Sequence, residues 1–331
     1  MKRSFSLLLL AALAGALGLL HWLVRNDAYG SFPEPVFVDI PRGTSSWRIG
    51  EQLTKAGVVR NPLLYQFARL TRLGTGAKAG EYQFTHAATP AQVFARLSAG
   101  DVFHIDVAVP EGSTMFDIAN FVERAGIGTS AAFLHEARSP NLIRDLAPTA
   151  PSLEGYLFPA TYRFGRKSKV SDVCQAMTAQ FRKVHAELGI HGDPGRIVTL
   201  ASMVEKEAKI PAERPRIAGV YAARLRKGMK LDCDPTVMYA AQLEGDWSGV
   251  IRRSNLASTN RYNTYKNPGL PPGPIANPGR DSLRAAMHPL ETDDLYFVAE
   301  PGGTGAHVFS KDFAAHDKAV SSYRRDHRRR E

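Results

Sequence analysis

Two cysteines, Cys174 and Cys233, are all that the 331 residues contain, too few for a disulfide framework. In an oxidising compartment they either pair or stay as two separate, part-buried thiols. No Cys/His cluster has the spacing of metal ligands and H-E-x-x-H does not occur, so a zinc enzyme is not supported. His288, His307 and His316 are scattered, and none completes a Ser-His-Asp set around a nucleophile elbow. Acidic residues are in deficit: 32 Asp and Glu stand against 42 Lys and Arg, a net charge of +10. That sign fits an anionic partner, and nucleic acid, anionic lipid and the carboxylate-bearing bacterial wall satisfy it equally. The composition is otherwise ordinary for a folded chain, which excludes global disorder and leaves room for two or three domains with sizeable cores.

What is present begins at the N-terminus. Lys2 and Arg3 precede an apolar stretch from Phe5 to Val24 broken only by Ser6 and His21, close to the roughly 20 residues that span a bilayer as a helix. The leading basic pair favours an N-inside orientation, although Arg25 weakens the asymmetry. A cleaved signal peptide is the alternative, with small residues at Ala12-Leu13-Ala14. The apolar run continues through Leu19, Leu20, Trp22 and Leu23, which favours an anchor. Either way the rest of the chain is expected outside the cytoplasm. Nucleic acid is then not an expected partner, and the wall and the membrane surface take its place. The basic tail Arg324–Arg330 is read as a solvated end or a contact with anionic wall or lipid.

An internal repeat follows a short linker. Val38–Val58 (VDIPRGTSSWRIGEQLTKAGV) realigns with Val107–Ile127 (VAVPEGSTMFDIANFVERAGI), with Pro41/Pro110, Gly43/Gly112, Ile49/Ile118, Ala56/Ala125 and Gly57/Gly126 coinciding. Each copy predicts a strand, a Pro-x-Gly turn, a Ser/Thr N-cap and an amphipathic helix closed by Gly. The first copy predicts a further helical stretch over Pro62–Leu73, a short strand over Glu81–Thr85, and a helix over Pro90–Leu97 capped by Thr89. Such units either bind a long polymer or act as spacers. The character changes near Ala150, so three regions are expected: 1–27 a cytoplasmic stub and anchor, 28–150 a repeated α/β region, and 151–331 a mixed α/β domain. In the last, Val173, Met177, Phe181 and Val184 form a core-facing stripe over Ser171–Val184. Another helix starts after Asp193-Pro194. The Pro- and Gly-rich segment NPGLPPGPIANPG (267–279) is either a rigid wall of a groove or a plain structural loop.

The chemistry-bearing candidates cluster in that last region. Over Arg196–Ile210 (RIVTLASMVEKEAKI) a helical wheel puts Ile197, Leu200, Ala201, Val204 and Ala208 on one apolar face. Lys206 points away from it, and Glu205 and Glu207 sit on its opposite borders. A carboxyl at the edge of a core is pushed toward its neutral form, and a neutral acid is what must protonate the leaving oxygen of a glycosidic bond. Helical geometry does not choose between the two glutamates, and two solvated border residues satisfy the same pattern. Glu154 lies among Tyr156, Phe158 and Tyr162 in SLEGYLFPATY, a carboxylate in an aromatic setting that suits a sugar site or a core corner. Asp232 and Asp234 are one residue apart. Arg261–Tyr265 (RYNTY) offers the amide of Asn263 near Tyr262 and Tyr265, suited to gripping N-acetyl groups and ring faces.

The order of these motifs is more specific than any one of them. ASMVEKEAKIPAERPRIAGVYAARLRKGMKLDCDPTVMYA, YNTYKNPGLPPGPIANPG, SLRAAMHP, LYFVAE and HVF, with SLEGYLFPATY upstream, resemble the YceG-like family over nearly the whole chain. The resemblance implies an α+β architecture: an N-terminal transmembrane helix, a LysM-like small α/β region and a mixed α/β catalytic domain. It implies a single-pass protein of the inner membrane with its bulk on the extracytoplasmic side. The implied activity is endolytic murein transglycosylation, cleaving the bond between N-acetylmuramic acid and N-acetylglucosamine in nascent strands to leave 1,6-anhydro ends, which would terminate strand elongation. It implies Glu207 as the catalytic glutamate of the E-K-E stretch. Glu154, Tyr156, Asp234, Thr236, Tyr262, Asn263 and Tyr265 are the positions expected at the glycan. The implied partners are peptidoglycan strands, the membrane and peptidoglycan synthases; no cofactor and no metal is called for. Many relatives have Gln where this chain has Asp232; facing the groove, this carboxylate would raise the pKa of Glu207 by like-charge repulsion, but its side chain is expected to face solvent, where it has no such effect. The competing reading is a non-catalytic wall-binding scaffold of the synthesis machinery, which leaves the E-K-E helix and the Pro-rich loop without a purpose.

Overall fold

The computed structural model describes residues 2–330 other than Leu73 and is a mixed helix-and-sheet structure that divides into two compact units, Met1–Ile105 and Asp106–Glu331. The first unit contains α1 (Lys2–Asn26), β1 (Val36–Ile40), α2 (Ser46–Lys55), α3 (Pro62–Leu70), β2 (Gly80–Phe84) and α4 (Pro90–Ala99). Leu73, the predicted end of the helical stretch begun at Pro62, lies outside the described residues. Within α1, Ser6–Asn26 is an apolar helix of 21 residues, about 30 Å at 1.5 Å per residue, the thickness of a bilayer's hydrocarbon core. Leu7 to Leu19 present their side chains outward, while Val24 is buried in the unit's core with Val38, Leu53, Tyr65, Tyr82 and Phe94.

The repeat is realised in the backbone. Thr44 and Ser113 donate their N–H groups to Pro41 and Pro110, each at 3.3 Å, and Gly43 and Gly112 take up φ values of 80° and 74°. Only glycine enters that left-handed region at no steric cost. Ser45 caps α2 through Arg48 N–H. Thr114 forms a reciprocal capping box with Asp117 at the start of the equivalent helix, α5 (Met115–Arg124). Both helices end before a left-handed glycine, Gly57 and Gly126. The equivalence extends beyond the two aligned segments. β1, α2, α3 and β2 form a strand-helix-helix-strand unit whose strands pair antiparallel, Val38 opposite Tyr82. In the second unit β3 (Ile105–Ala108), α5, α6 (Ser130–Ala137) and β4 (Thr161–Phe164) follow in the same order, with β3 paired to β4.

The compact division therefore falls between the copies. The reason is packing: Val107, Met115, Ile118, Val122 and Phe133 of the second copy belong to the same hydrophobic core as the C-terminal helices. Those are α7 (Val170–Leu188), α8 (Pro194–Glu207), α9 (Arg214–Arg226), α10 (Asp234–Glu244), α11 (Arg253–Ala257) and α12 (Arg280–Met287). The β5 (Tyr296–Ala299) and β6 (His307–Ser310) hairpin and α13 (Phe313–Arg330) complete the chain. The stripe predicted on α7 is buried as expected at Val173, Met177, Phe181 and Val184. Both cysteines are free and buried.

Helix α8 departs from the amphipathic picture. Asp193 caps it through Arg196 N–H and Pro194 occupies its first turn. Yet every residue from Val198 to Val204 is buried, because α9, α10 and α12 pack around it. Its polar residues are satisfied locally. Thr199 donates to Gly195 O at 2.7 Å, Ser202 donates to Thr199 O at 2.7 Å, and Ser202 accepts from Ile275 N–H at 3.0 Å. That last bond docks the Pro-rich segment onto the helix. The loop's later half is core, with Ile275, Ala276 and Asn277 buried. Asn277 donates to Glu154 Oε1 at 2.7 Å and Ser113 O at 2.9 Å, and accepts from Leu157 N–H at 2.9 Å.

Candidate active site

The two glutamates at the end of α8 have different surroundings. Glu205, 6% exposed, pairs with Arg214 at 3.3 Å and accepts from Gly279 N–H at 2.9 Å. Its charge is neutralised and its oxygens are occupied. Glu207 is the last residue of the helix, partly buried, and no cation pairs with it among the described residues. The Cys233 thiol donates to its Oε1 at 3.4 Å. Loss of solvent pushes its pKa upward, the Cys233 thiol opposes this, the neighbouring Asp234 charge adds to the rise, and His307 and the Tyr221 hydroxyl weigh against it to a smaller extent. Lys206 between them extends to Gly112 O at 3.1 Å.

Glu207 opens onto a cleft of about 590 Å³ in the second unit. It is lined by Asp232, Asp234 and Tyr265, by Tyr296, Phe297 and His307 of the β5–β6 hairpin, and by Phe313, His316 and Tyr323 of α13. Sugar sites combine such aromatic faces with a few placed polar groups. Tyr265 donates its hydroxyl to Asp234 Oδ1 at 2.7 Å. His307 is held through Nδ1 by Glu213 Oε2 at 2.7 Å, while its backbone N–H donates to the other Glu213 oxygen at 3.0 Å.

Asp232 is solvent-exposed as expected, at 43%, and it also borders the cleft, with its carboxylate 3.1 Å from Arg224. Among the described residues it is the one non-glycine with positive φ, 48°, a conformation that Asp tolerates better than most. Arg224, itself buried, also donates to Leu295 O, Lys230 O and Leu231 O, so the segment before α10 is tied to the β5 hairpin. The charge that pushes on Glu207 is Asp234, not Asp232.

Of the other positions singled out in the sequence, Asp234 and Tyr265 share the cleft with Glu207, and the rest do not line it. Thr236 is fully buried; it donates to Cys233 O at 2.6 Å and meets Thr264 Oγ1 at 2.9 Å. It fixes the start of α10 against the RYNTY loop. Asn263 is fully buried, donating to Ser258 O at 2.8 Å and Leu256 O at 3.2 Å, and accepting from Tyr265 N–H at 3.0 Å. Tyr262 packs on Tyr239 with ring centroids 5.1 Å apart. Tyr156 packs edge-on against Phe181 and lines a smaller cavity of about 220 Å³ at the other end of α8, beside Pro271 and Pro274. Glu154, 1% exposed, accepts from Met115 N–H at 2.8 Å and from Asn277, and burial pushes its pKa to about 8. The NPGLPPGPIANPG segment thus walls that smaller cavity rather than the cleft at Glu207. Removing the Asn263 amide (Asn263→Ala) is expected to cost about 2–4 kcal/mol, since several buried backbone groups lose their partner. Urea unfolding measures this, and a loss below about 0.5 kcal/mol would show that the loop holds without it.

Cys233, Tyr221 and His307 belong to the cleft region and were not read as site residues. Cys233 follows Asp232 directly and Tyr221 lies one helical turn from Arg224, but neither carries a local pattern that distinguishes it from core. His307 stands in the HVF segment, and its partner Glu213 is far away in the chain.

A sequence model of the YceG-like family matches residues 38–322. The endolytic murein transglycosylase of Bacillus subtilis (strain 168) is 32% identical over 313 residues, the match covering 87% of this chain and 84% of that protein. The endolytic murein transglycosylase of Streptococcus pneumoniae (strain ATCC BAA-255 / R6) is 28% identical over 326 residues, covering 87% of this chain but 58% of the longer pneumococcal protein. The crystal structure of a yceG-like protein from Listeria monocytogenes superposes with a TM-score of 0.55 at 31% identity, covering 86% of this chain and 99% of that one.

Proposed function

The chain belongs to the YceG-like family, and on that premise we propose that it is a murein lytic transglycosylase whose catalytic acid is Glu207. The observation that carries the reading is an unpaired carboxyl, pushed toward its neutral form, at the wall of an aromatic cleft. Glu207 delivers its proton to the oxygen linking N-acetylmuramic acid to N-acetylglucosamine, and the C1–O bond breaks with its electron pair on the leaving oxygen. The muramyl C6 hydroxyl then bonds to C1, and its proton passes to the Glu207 carboxylate. No water is consumed, so a second carboxylate to activate one is not required. Asp234 and Tyr265 are the groups best exposed to hold the sugar, while Thr236 and Asn263 fix the start of α10 and the RYNTY loop that carry them; Glu154, Tyr156 and Tyr262 are packed elsewhere in the core.

The apolar Ser6–Asn26 helix supports a single-pass anchor in the cytoplasmic membrane with the chain after it outside, where nascent strands emerge. The strand-helix-helix-strand order of the first unit supports a LysM-like glycan-binding role for it. Cutting strands at the membrane would end their elongation and bring the enzyme alongside the synthases.

The test is mass spectrometry of purified peptidoglycan treated with the full-length protein in detergent. Release of 1,6-anhydromuramyl ends supports the reading. Reducing muramyl ends would make the protein a muramidase, and binding of glycan with no product would make it a scaffold.

A further inference from the structure

Every turnover of the proposed reaction leaves Glu207 as a carboxylate for part of its course, in a partly buried site. No cation pairs with it among the described residues. One donor is in place, the Cys233 thiol at 3.4 Å from Oε1. The second polar group at that point is the hydroxyl of Tyr221 on α9. Tyr221 is 1% exposed, its ring packs edge-on against Phe297 with centroids 5.8 Å apart, and its Oη makes no close hydrogen bond, although it stands near enough to Glu207 to favour the carboxylate. A buried hydroxyl without a close hydrogen bond is rare and costs stability. Here it stands beside the one carboxyl expected to change charge.

We propose that Tyr221 is a positioning residue whose unspent hydroxyl, together with the Cys233 thiol, receives Glu207 when it becomes a carboxylate. This rests on the reading of Glu207 as the acid. An interaction made in the charged form and missing from the neutral one lowers the barrier without tightening ground-state binding. Burial raises the pKa of both Tyr221 and Cys233, so each keeps its proton and remains a donor across the working pH range. The other titratable groups around Glu207 are Asp234 at the start of α10, which raises its pKa, and His307 on β6, which lowers it. Asp232, Arg224 and Tyr265 stand on the cleft walls, and none of them supplies a hydrogen bond to Glu207.

The experiment is Tyr221→Phe in the full-length protein, assayed for anhydromuramyl release against pH. The expected kcat loss is about 10- to 100-fold, the worth of a hydrogen bond to a charged group, with KM unchanged. The alkaline limb should move to higher pH, since a donor that favours the carboxylate has gone. The melting temperature should stay level or rise, because the deleted hydroxyl makes no close hydrogen bond. Cys233→Ala should act in the same direction, and Cys233→Ser, which restores a donor, should recover activity. Wild-type kcat and an unmoved alkaline limb in Tyr221→Phe would overturn the proposal, as would a fall in melting temperature that accounts for the lost activity. If the wild-type protein releases no anhydro ends, the transglycosylase reading fails. If it releases them and Tyr221→Phe does so equally well, the stored donor alone is wrong.

Discussion

Glu207→Gln is expected to slow anhydromuramyl release by about 10²- to 10⁴-fold, the usual share of a general acid, while leaving the fold intact. The amide is isosteric, its oxygen still accepts from the Cys233 thiol, and no ion pair is broken. What disappears is the transferable proton. Glu205→Gln is the informative contrast. Its carboxylate holds Arg214 and the Gly279 backbone, so the change should lower stability, by about 1–3 kcal/mol, and affect rate only through the fold. Equal rates in wild type and Glu207→Gln, measured by product mass spectrometry and with melting curves superimposed, would remove Glu207 from the chemistry. A larger rate loss in Glu205→Gln than in Glu207→Gln would reverse the assignment.

The stability of the second unit is expected to fall as pH rises from about 4.5 toward 8, with Glu154 as the largest source. Its carboxyl has an ordinary pKa near 4.5 in the unfolded chain, and burial raises it to about 8 in the folded one. Below 4.5 both states hold the proton and the group contributes its full stabilisation. Between the two values the folded state keeps a proton that the unfolded state has released. Stability then declines by up to about 1.4 kcal/mol per pH unit, and above 8 the effect levels off. Glu207 and Glu111 shift in the same sense and steepen the decline. Denaturant unfolding of the full-length protein at several pH values, repeated with Glu154→Gln, isolates the contribution: the variant should lose most of the slope. An unchanged slope would mean that Glu154 stays ionised, held by Met115 N–H and the Asn277 amide.

That network shows what a motif reading misses. Glu154 in its aromatic segment has the composition of a sugar site, and the resemblance to the family pointed the same way. In the structure it is enclosed by the turn of the second repeat copy and by Asn277 of the Pro-rich loop, so that three motifs far apart in sequence meet at one buried carboxyl. Its partners come from chain distances that no periodicity spans.

Sequence alone determined the elements whose causes are local. The N-terminal apolar helix follows from a run of side chains that water disfavours. The paired strand-turn-helix units follow from Pro-x-Gly turns, Ser and Thr caps and closing glycines, each acting within a few residues. The start of α8 follows from Asp193 and Pro194. The tertiary structure decided the rest. It assigned the second repeat copy to the core of the C-terminal helices rather than to the first copy. It enclosed α8, which the helical wheel had left half exposed. It gave Glu205 an arginine and Glu207 a cleft, two fates that the wheel cannot tell apart because both residues border the same face. A carboxyl's charge state depends on solvent and neighbours within a few ångströms, and at Glu207 those neighbours, Tyr221, Cys233, Asp234 and His307, are brought together only when α9, α10 and the β5–β6 hairpin close around the end of the helix.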